Sequence, residues 1–336
     1  MIITRAPLRI SFVGGGTDLA DFYTKTPGRV LSAAIDKYVY VTIKQSPLIR
    51  GINVRYSESE NAQTPYDIRN NRVREALLTM GIHNNIEISV FSDFPGKTGL
   101  GSSSSFSVAL MKGLRLLKGQ NVDAATIAED ACNLEIGALK EPIGKQDQYA
   151  SAIGGFNVLT FNPDHSVQVE QLLLDYKKSA GLEKHALLFF TGITRNASDI
   201  LTEQKKNIDE KFATLSKMAD MVTPFREYLS AGNFKELGGM LHEAWAYKRT
   251  LAGSITTHEL DVLYAAGMQH GAWGGKVLGA GGGGCILFLA DPKDHEAIRT
   301  AVGDVARKHS LQWFSEVPMR FVQPGVEVLM NTQKTI

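Results

Sequence analysis

Cysteine is scarce in this chain. Only Cys132 and Cys285 are present, far apart in the sequence and each within an apolar run. Small disulfide-stabilised secreted domains depend on many more cysteines, so this usage indicates reduced, buried thiols. None of the eight histidines stands in the His-Glu-x-x-His spacing of a metal-binding helix. We therefore expect neither a disulfide framework nor a metal site built from cysteine and histidine.

Excess charge and long hydrophobic runs are also lacking. The 36 basic residues nearly balance the 35 acidic ones, for a formal net charge of +1, which argues against a nucleic-acid partner. Apolar runs such as Cys285 to Ala290 are too short to span a membrane. The N-terminal apolar stretch carries charges, which a signal peptide would not. We expect a soluble cytoplasmic protein, monomeric or homodimeric, that binds no membrane.

Glycine, in contrast, is abundant and clusters in three stretches: Gly14–Gly16, Gly96–Gly101 and Gly279–Gly284. The middle stretch joins a strand-like run to four serines that open a helical pattern. Unpaired N–H groups and the positive end of the helix dipole meet there, and together they attract phosphate. It is not a P-loop, because Phe91 stands where that motif needs its first glycine. The sequence therefore predicts an anion-binding loop of another kind.

The last glycine stretch matches the dinucleotide-binding pattern in spacing alone. Gly279, Gly281 and Gly284 fit G-x-G-x-x-G, and Asp304 follows twenty residues later. That fingerprint must open a helix, however, whereas Gly284 leads into the strand-like run CILFLA. We therefore exclude a nicotinamide-dependent dehydrogenase.

The order of predicted elements favours an α+β fold. Strand and helix patterns mix without the steady alternation of a doubly wound parallel sheet. We predict a helix from about Asp67 to Met80, a helix capped by Asp123 that reaches Pro142, several helices between residues 197 and 271, and a final strand near Gln312. The chain is expected to form two domains, residues 1–176 and 177–336.

Three motifs in order carry a family resemblance. They are RAPLRISFVGGGTDL from Arg5, PGKTGLGSSSSFSVAL from Pro95 and KVLGAGGGGCILF from Lys276. This set resembles the GHMP kinases, the family of galactokinase, homoserine kinase, mevalonate kinase and phosphomevalonate kinase. The resemblance implies ATP and Mg²⁺ as cofactors. It also implies an N-terminal domain like ribosomal S5 domain 2, a ferredoxin-like C-terminal domain and an active site between them.

The resemblance also assigns roles to residues of this chain. Asp147 would be the general base, and Arg9 would lie near the transferred phosphoryl group. Ser103 and Glu135 would ligate Mg²⁺. The ATP-binding loop would comprise Gly96, Lys97, Gly99, Leu100, Gly101, Ser102, Ser103, Ser104 and Ser105.

Plainer interpretations of these residues remain open. Glu135 lies among apolar neighbours and could be a buried acid paired with a lysine such as Lys140. Asp147 could be a surface residue, and Arg9 could be an exposed arginine on an alternating strand.

The substrate side is implied by further positions: Asp18, Gly15, Gly16, Thr17, Gly281 and Gly282. Galactokinases have Glu-His where this chain has Gly15-Gly16, so its pocket is expected to admit a larger substrate than galactose. The forms GGGTDLADFY and LHEAWAYKR are similar to a subgroup of kinases acting on D-glycero-D-manno-heptose 7-phosphate. A phosphorylated substrate needs a basic partner, and the candidates are Arg195, Lys248, Arg249 and Lys145.

These observations lead to one function hypothesis and two alternatives. The first is an ATP-dependent kinase that phosphorylates the anomeric hydroxyl of this small-molecule sugar phosphate, giving the 1,7-bisphosphate. The second is another small-molecule kinase of the family, acting on a fucose-like or galactose-like sugar. The third is a binding module that keeps ligand affinity without catalysis, which the presence of Arg9, Ser103, Glu135 and Asp147 argues against.

Overall fold

The computed structural model describes residues 1–332, which form two sheets. The strands in chain order are β1 (Ile2–Val13), β2 (Gly28–Gln45), β3 (Ile52–Arg55), β4 (Ser59–Ala62), β5 (Ile86–Ser92), β6 (Phe156–Phe161), β7 (Val167–Leu172), β8 (Ala186–Phe190), β9 (Ala272–Val277), β10 (Cys285–Ala290), β11 (Ser315–Glu316) and β12 (Glu327–Asn331). Strands β1 to β7 with β12 make an eight-stranded sheet, and β8 to β11 make a four-stranded one.

The helices are α1 (Ala20–Tyr23), α2 (Asn71–Thr79), α3 (Ser102–Leu117), α4 (Ala124–Cys132), α5 (Gln146–Ile153), α6 (Tyr176–His185), α7 (Ala197–Lys206), α8 (Ile208–Asp220), α9 (Val222–Ala231), α10 (Phe234–Arg249), α11 (His258–Gln269) and α12 (His295–Lys308). No helix within residues 1–332 is both long and apolar enough to cross a membrane. A π-helical segment, Asn133–Ala138, follows α4.

Strand order confirms the α+β class. The larger sheet runs β12-β1-β2-β5-β3-β4, with β6 paired to β2 and β7 to β6. Its pairs are antiparallel except β3 with β5, and the smaller sheet, β11-β8-β10-β9, is antiparallel throughout. Antiparallel pairing needs no helical crossover between neighbouring strands, which explains the absence of a regular strand-helix alternation.

The last described strand returns to the first sheet. Strand β12 pairs with β1, although the predicted division after residue 176 assigned it to the C-terminal half. The predicted strand near Gln312 is replaced by the two-residue β11, which starts at Ser315. Strand β12 escaped prediction because most of its side chains are exposed, so it lacks the polar–apolar alternation of a half-buried strand.

Two predicted helices begin or end differently from expectation. A short 3₁₀ turn occupies Pro65–Asp67, and α2 then starts at Asn71. The Asp123 side chain caps α4 as predicted, accepting from the Thr126 N–H at 2.8 Å, but the α-helix ends at Cys132 and passes into the π-helical segment. Such π turns often occur at functional sites, and this one contains Glu135.

The two sheets share a continuous apolar core. Leu8, Ile10 and Phe12 of β1 belong to the same buried cluster as Leu287 of β10 and Phe225 of α9. The rings of Phe12 and Phe225 lie 5.4 Å apart, centroid to centroid. This core fixes the second sheet and its helices beside β1, next to the start of α3.

Candidate active site

The start of α3 presents unpaired backbone donors. Gly101 precedes the helix in a left-handed conformation, with φ of +76°, and no side chain caps the first turn. Gly99 also has positive φ, a conformation that glycine adopts without strain. The first turn of α3 therefore has the uncapped N–H groups that a phosphate-binding helix N-terminus needs, and phosphate binding there stays a prediction.

This loop is held between the two halves of the chain. The Arg9 N–H of β1 donates to Leu100 O at 2.9 Å, and the Cys285 N–H of β10 donates to Thr98 O at 2.9 Å. A Cβ added at Gly279 would lie only 2.5 Å from the Cα of Gly99. The second and third glycine stretches are thus packed backbone to backbone. A side chain at Gly99 or Gly279 would prevent this close approach.

Arg9 and Asp147 form a bidentate ion pair. Nε and Nη2 of Arg9 donate to the two carboxylate oxygens of Asp147, each at 2.8 Å. The third nitrogen, Nη1, donates to Gly99 O at 2.7 Å. The Arg9 side chain is 4% exposed and that of Asp147 25%, so only the acid opens towards solvent. Bidentate pairs of this kind fix orientation as well as charge.

Asp18 is a buried carboxylate beside this pair. Its Oδ1 accepts from Gly16 N at 3.0 Å and from Gln146 Nε2 at 2.9 Å. Burial, and secondarily the charge of Asp147, raise the pKa of Asp18 above its usual value. A Cβ at Gly144 would lie 2.0 Å from Asp18 Oδ2, so a residue with a side chain there would displace the acid.

Two buried lysines of the C-terminal half donate to backbone carbonyls near the glycine stretches. Lys248 of α10 donates to the carbonyl oxygen of Gly279, and Lys276 of β9 donates to Phe12 O at 2.7 Å. Burial first, and the charge of Arg9 next, lower the pKa of Lys248 to about 7. Burial likewise lowers the pKa of Lys276 well below its ordinary value.

Glu135 is a fully buried acceptor. Oε1 accepts from Arg72 Nε at 3.1 Å and from the Ser107 hydroxyl at 2.8 Å. Oε2 accepts from the Ser104 hydroxyl at 2.8 Å and from the Gln148 amide. A carboxylate offers about four lone-pair sites, and these four donors fill them.

The predicted Mg²⁺ pair is therefore not assembled in this structure. Ser103 is exposed, and the hydroxyls that reach Glu135 are those of Ser104 and Ser107. The alternative pairing of Glu135 with Lys140 is replaced by an ion pair with Arg72.

Two other predicted site residues donate their hydroxyls to backbone carbonyls. Thr17 Oγ1 donates to Gly14 O at 2.8 Å, and Ser105 Oγ donates to Pro7 O at 2.8 Å. Both hydroxyls are thus directed at the protein itself. A Cβ at Gly15 would lie 3.6 Å from its nearest neighbour, Ser11 Oγ, whereas a Cβ at Gly16 would lie 2.4 Å from Gln204 Nε2. The room expected from the absence of two side chains is therefore present at Gly15 but is filled by Gln204 at Gly16.

The third glycine stretch is closed by the loop before α7 and the loop after α10. Gly282 N donates to Ile255 O at 2.7 Å, and a Cβ at Gly281 would lie 2.6 Å from the same oxygen. Arg195 Nε donates to Gly282 O at 3.1 Å. Arg195 therefore lies against this predicted substrate loop, although it is remote in sequence.

Sequence reasoning missed the residues that support the predicted ones. Gln146 orients Asp18 and also accepts from the Ser11 hydroxyl at 2.9 Å. Nothing in a polar stretch such as GKQDQ marks one glutamine as important. Lys276 could have been found, because it is a lysine in the otherwise apolar strand AWGGKV, and buried cations are rare without a specific role.

Comparison with known proteins agrees with this geometry. Residues 71–155 match the model for the GHMP kinases N terminal domain, and residues 225–308 match GHMP kinases C terminal. A D-glycero-alpha-D-manno-heptose 7-phosphate kinase of Campylobacter jejuni is 31% identical over 307 residues, 87% of this chain and 90% of the relative. The chain belongs to the GHMP kinase family. It is an ATP-dependent kinase.

Other members of the GHMP kinase family align over nearly the whole chain. A galactokinase of Pyrococcus furiosus is 25% identical over 366 residues, 96% of this chain and 97% of the relative. The crystal structure of a D-glycero-D-manno-heptose 1-phosphate kinase from Bacteroides thetaiotaomicron superposes with a TM-score of 0.81 at 22% identity, covering 99% of this chain and 100% of that one. The expected two-domain GHMP kinase fold is thereby confirmed.

Proposed function

We propose that this ATP-dependent sugar kinase phosphorylates the anomeric hydroxyl of D-glycero-D-manno-heptose 7-phosphate, giving the 1,7-bisphosphate. One observation carries the proposal of phosphoryl transfer: Arg9 binds Asp147 and the Gly99 carbonyl of the ATP loop at the same time. The similarity to the Campylobacter jejuni heptose kinase supports the choice of substrate.

Asp147 is the proposed general base. The anomeric oxygen attacks the γ-phosphorus of ATP, its proton passes to the Asp147 carboxylate, and the bond from the γ-phosphorus to the bridging oxygen breaks to release ADP. Each Asp147 oxygen accepts one bond from Arg9, which leaves lone pairs for the hydroxyl. The guanidinium stays charged throughout and stabilises the negative charge that develops in the transition state.

Asp18 is proposed to bind the sugar. Gln146 and the Gly16 N–H hold its carboxylate in place, so the remaining acceptor position is oriented before the sugar arrives. A fixed acceptor loses little entropy on binding and selects the arrangement of neighbouring hydroxyls.

Arg195 is the proposed partner of the 7-phosphate. Of the other candidates, Lys145 pairs with Glu129 at 3.2 Å and Arg249 pairs with Asp261 at 3.1 Å. Lys248 is buried. Arg195 is exposed, lies against Gly282 and forms no ion pair with the residues described. Its Nε is engaged by Gly282 O, and its two terminal nitrogens, which form no ion pair with the described residues, can donate to a phosphate in bidentate fashion.

Mg²⁺ is the proposed second cofactor, and it would neutralise the phosphates of ATP. The exposed Ser103 hydroxyl at the start of α3 fits a hard-oxygen ligand. Glu135 does not fit in the observed arrangement, since ligation requires one of its four hydrogen-bond donors to leave. In the observed arrangement, Glu135 anchors the first turns of α3 by accepting hydrogen bonds from the Ser104 and Ser107 hydroxyls.

The test is a substrate panel. Purified protein with Mg-ATP is offered D-glycero-D-manno-heptose 7-phosphate, galactose, fucose and mevalonate, while ADP release is measured and ³¹P NMR locates the new phosphate. Turnover of the heptose phosphate at C1 is the expected result. Turnover of another compound in its place would refute the proposed substrate, and no turnover of any of the four would refute the proposed substrate together with the three alternatives.

A further inference from the structure

Lys248 is a buried amine without an acidic partner. The residue is 7% exposed, and its Nζ donates to the carbonyl oxygens of Gly279 and Val277. No carboxylate among residues 1–332 lies within ion-pair distance of it. A buried ammonium that lacks a counter-charge is costly, and such a group tends to lose its proton instead.

The charges that face Lys248 come from four parts of the fold. Arg9 on β1 and Lys276 on β9 are positive, while Asp18, just before α1, and Asp147 on α5 are negative. Arg9 and Asp147 already neutralise each other as an ion pair, and the Asp18 carboxylate is bound by the Gly16 N–H and the Gln146 amide. Among the described residues, Lys248 therefore has no carboxylate of its own to hold its proton before nucleotide binds.

Nucleotide binding changes that balance. We expect the γ-phosphate of ATP beside Arg9 and the predicted ATP loop, where its negative charge would act on Lys248 as the charges of Arg9 and Asp147 already do. Resting on the proposed phosphoryl transfer, we propose that Lys248 takes up a proton from solvent when ATP binds. It then supplies an additional positive charge to the transfer site and returns the proton when ADP leaves.

Protonation of Lys248 would also affect the ATP loop, through the hydrogen bond from Lys248 to the third glycine stretch. An ammonium donates stronger hydrogen bonds than a neutral amine, so protonation tightens the bond to Gly279 O. Gly279 packs directly on Gly99, whose carbonyl Arg9 binds. Lys248 thus acts as a positioning residue for both glycine stretches, and its charge differs between the free and the nucleotide-bound protein.

Isothermal titration calorimetry with Mg-AMP-PNP at pH 8 tests the proposal. Titrations in buffers of different ionisation enthalpy give the number of protons taken up. We expect uptake approaching one proton in the wild type and none in Lys248→Met, while Arg249→Met, the exposed neighbour, keeps the wild-type value. Equal uptake in the wild type and Lys248→Met, or no uptake in the wild type, would overturn the proposal.

A second measurement does not depend on the folding of Lys248→Met. The wild-type dissociation constant for Mg-AMP-PNP is expected to rise between pH 7 and 9 by up to about tenfold per pH unit, the slope for one proton. A flat profile would contradict the proposal. Because these titrations contain no sugar, they are decided separately from the substrate panel.

Discussion

The two carboxylate oxygens of Asp147 are both bound by Arg9, and the same guanidinium binds the carbonyl of Gly99. One side chain therefore fixes the proposed base and the ATP loop relative to each other. The arrangement orients Asp147 before any substrate binds, which is the condition for efficient proton transfer.

Replacing Asp147 by Asn keeps its shape and removes the base. We expect kcat to fall by about 10²–10⁴-fold, while the dissociation constant for ATP stays near the wild-type value. Steady-state ADP release and nucleotide titration measure the two effects. Asp220→Asn, an exposed acid at the end of α8, serves as the control. Near-normal turnover of Asp147→Asn would refute its role as the base.

Neighbouring serines are expected to separate metal binding from helix anchoring. Ser103→Ala should raise the Mg²⁺ concentration needed for half-maximal rate and leave stability within about 0.5 kcal/mol of the wild type. Ser104→Ala removes a buried donor from Glu135 and should lower the free energy of unfolding by about 1–3 kcal/mol. Mg²⁺ titration at fixed ATP and urea unfolding distinguish them. If the Mg²⁺ dependence of the rate is the same for Ser103→Ala and the wild type, Ser103 is not a Mg²⁺ ligand.

Gly99→Ala is expected to disturb the joined glycine stretches. The new Cβ would lie 2.6 Å from Leu278 O, at a φ of +79°, and strain of this kind costs about 1–3 kcal/mol. We expect weaker ATP binding and a lower melting temperature. Gly119→Ala is the matched control, because its φ of +72° imposes a similar backbone strain while no described atom lies within 4 Å of its Cβ position. Equal behaviour of the two variants would show that the contact with the third stretch is unimportant.

Arg195→Ala should affect the sugar phosphate alone. We expect a KM for the phosphorylated sugar higher by at least about tenfold, since a charge-assisted pair is worth roughly 1.5–3 kcal/mol, with the KM for ATP unchanged. Arg249→Ala, which loses only its partly exposed pair with Asp261, should leave both constants near the wild type. Substrate saturation curves decide the matter, and an unchanged sugar KM would exclude Arg195 as the phosphate partner.

Lys248 should make stability depend on pH above neutrality. Its pKa is about 7 in the folded protein, against an ordinary value of 10.5, so between these values the unfolded chain binds more protons. Stability therefore rises with pH across that window. Lys248→Met should reduce this slope by up to about 1.4 kcal/mol per pH unit, whereas exposed Lys118→Met should not. Urea unfolding at pH 7.5, 8.5 and 9.5 measures it, and parallel slopes for the wild type and Lys248→Met would contradict the assignment.

The sequence predicted the parts of the site that depend on local pattern. The order of the three glycine stretches and the serine run at the start of α3 predicted the position of a loop before a helix, because a strand, a tight turn and a helix N-terminus are each visible over a few residues. That this loop binds ATP stays a prediction. Arg9 and Asp147 were named by family resemblance. Their contact joins residues 138 positions apart, which no local pattern encodes.

The side-chain contacts of the site could not be predicted, because they depend on packing between residues far apart in the sequence. Whether Ser103 or Ser104 reaches Glu135 is decided by the rotation of α3 about its axis, and adjacent serines are indistinguishable by composition. The π-helical segment that carries Glu135 has no simple signature either. The two adjacent basic residues at the end of α10 are an equivalent case. Lys248 is buried under the third glycine stretch, whereas Arg249 pairs with Asp261 at the surface.

The return of β12 to the first sheet limits how the molecule can move. The smaller sheet and its helices are joined to the larger one by two chain crossings, one after β7 and one before β12. At the second crossing, Phe321 bridges to Ile35 and its ring lies 4.7 Å from that of Phe156, centroid to centroid. The two sheets are therefore joined by the chain twice and by one shared core, so they cannot separate without breaking apolar contacts of that core.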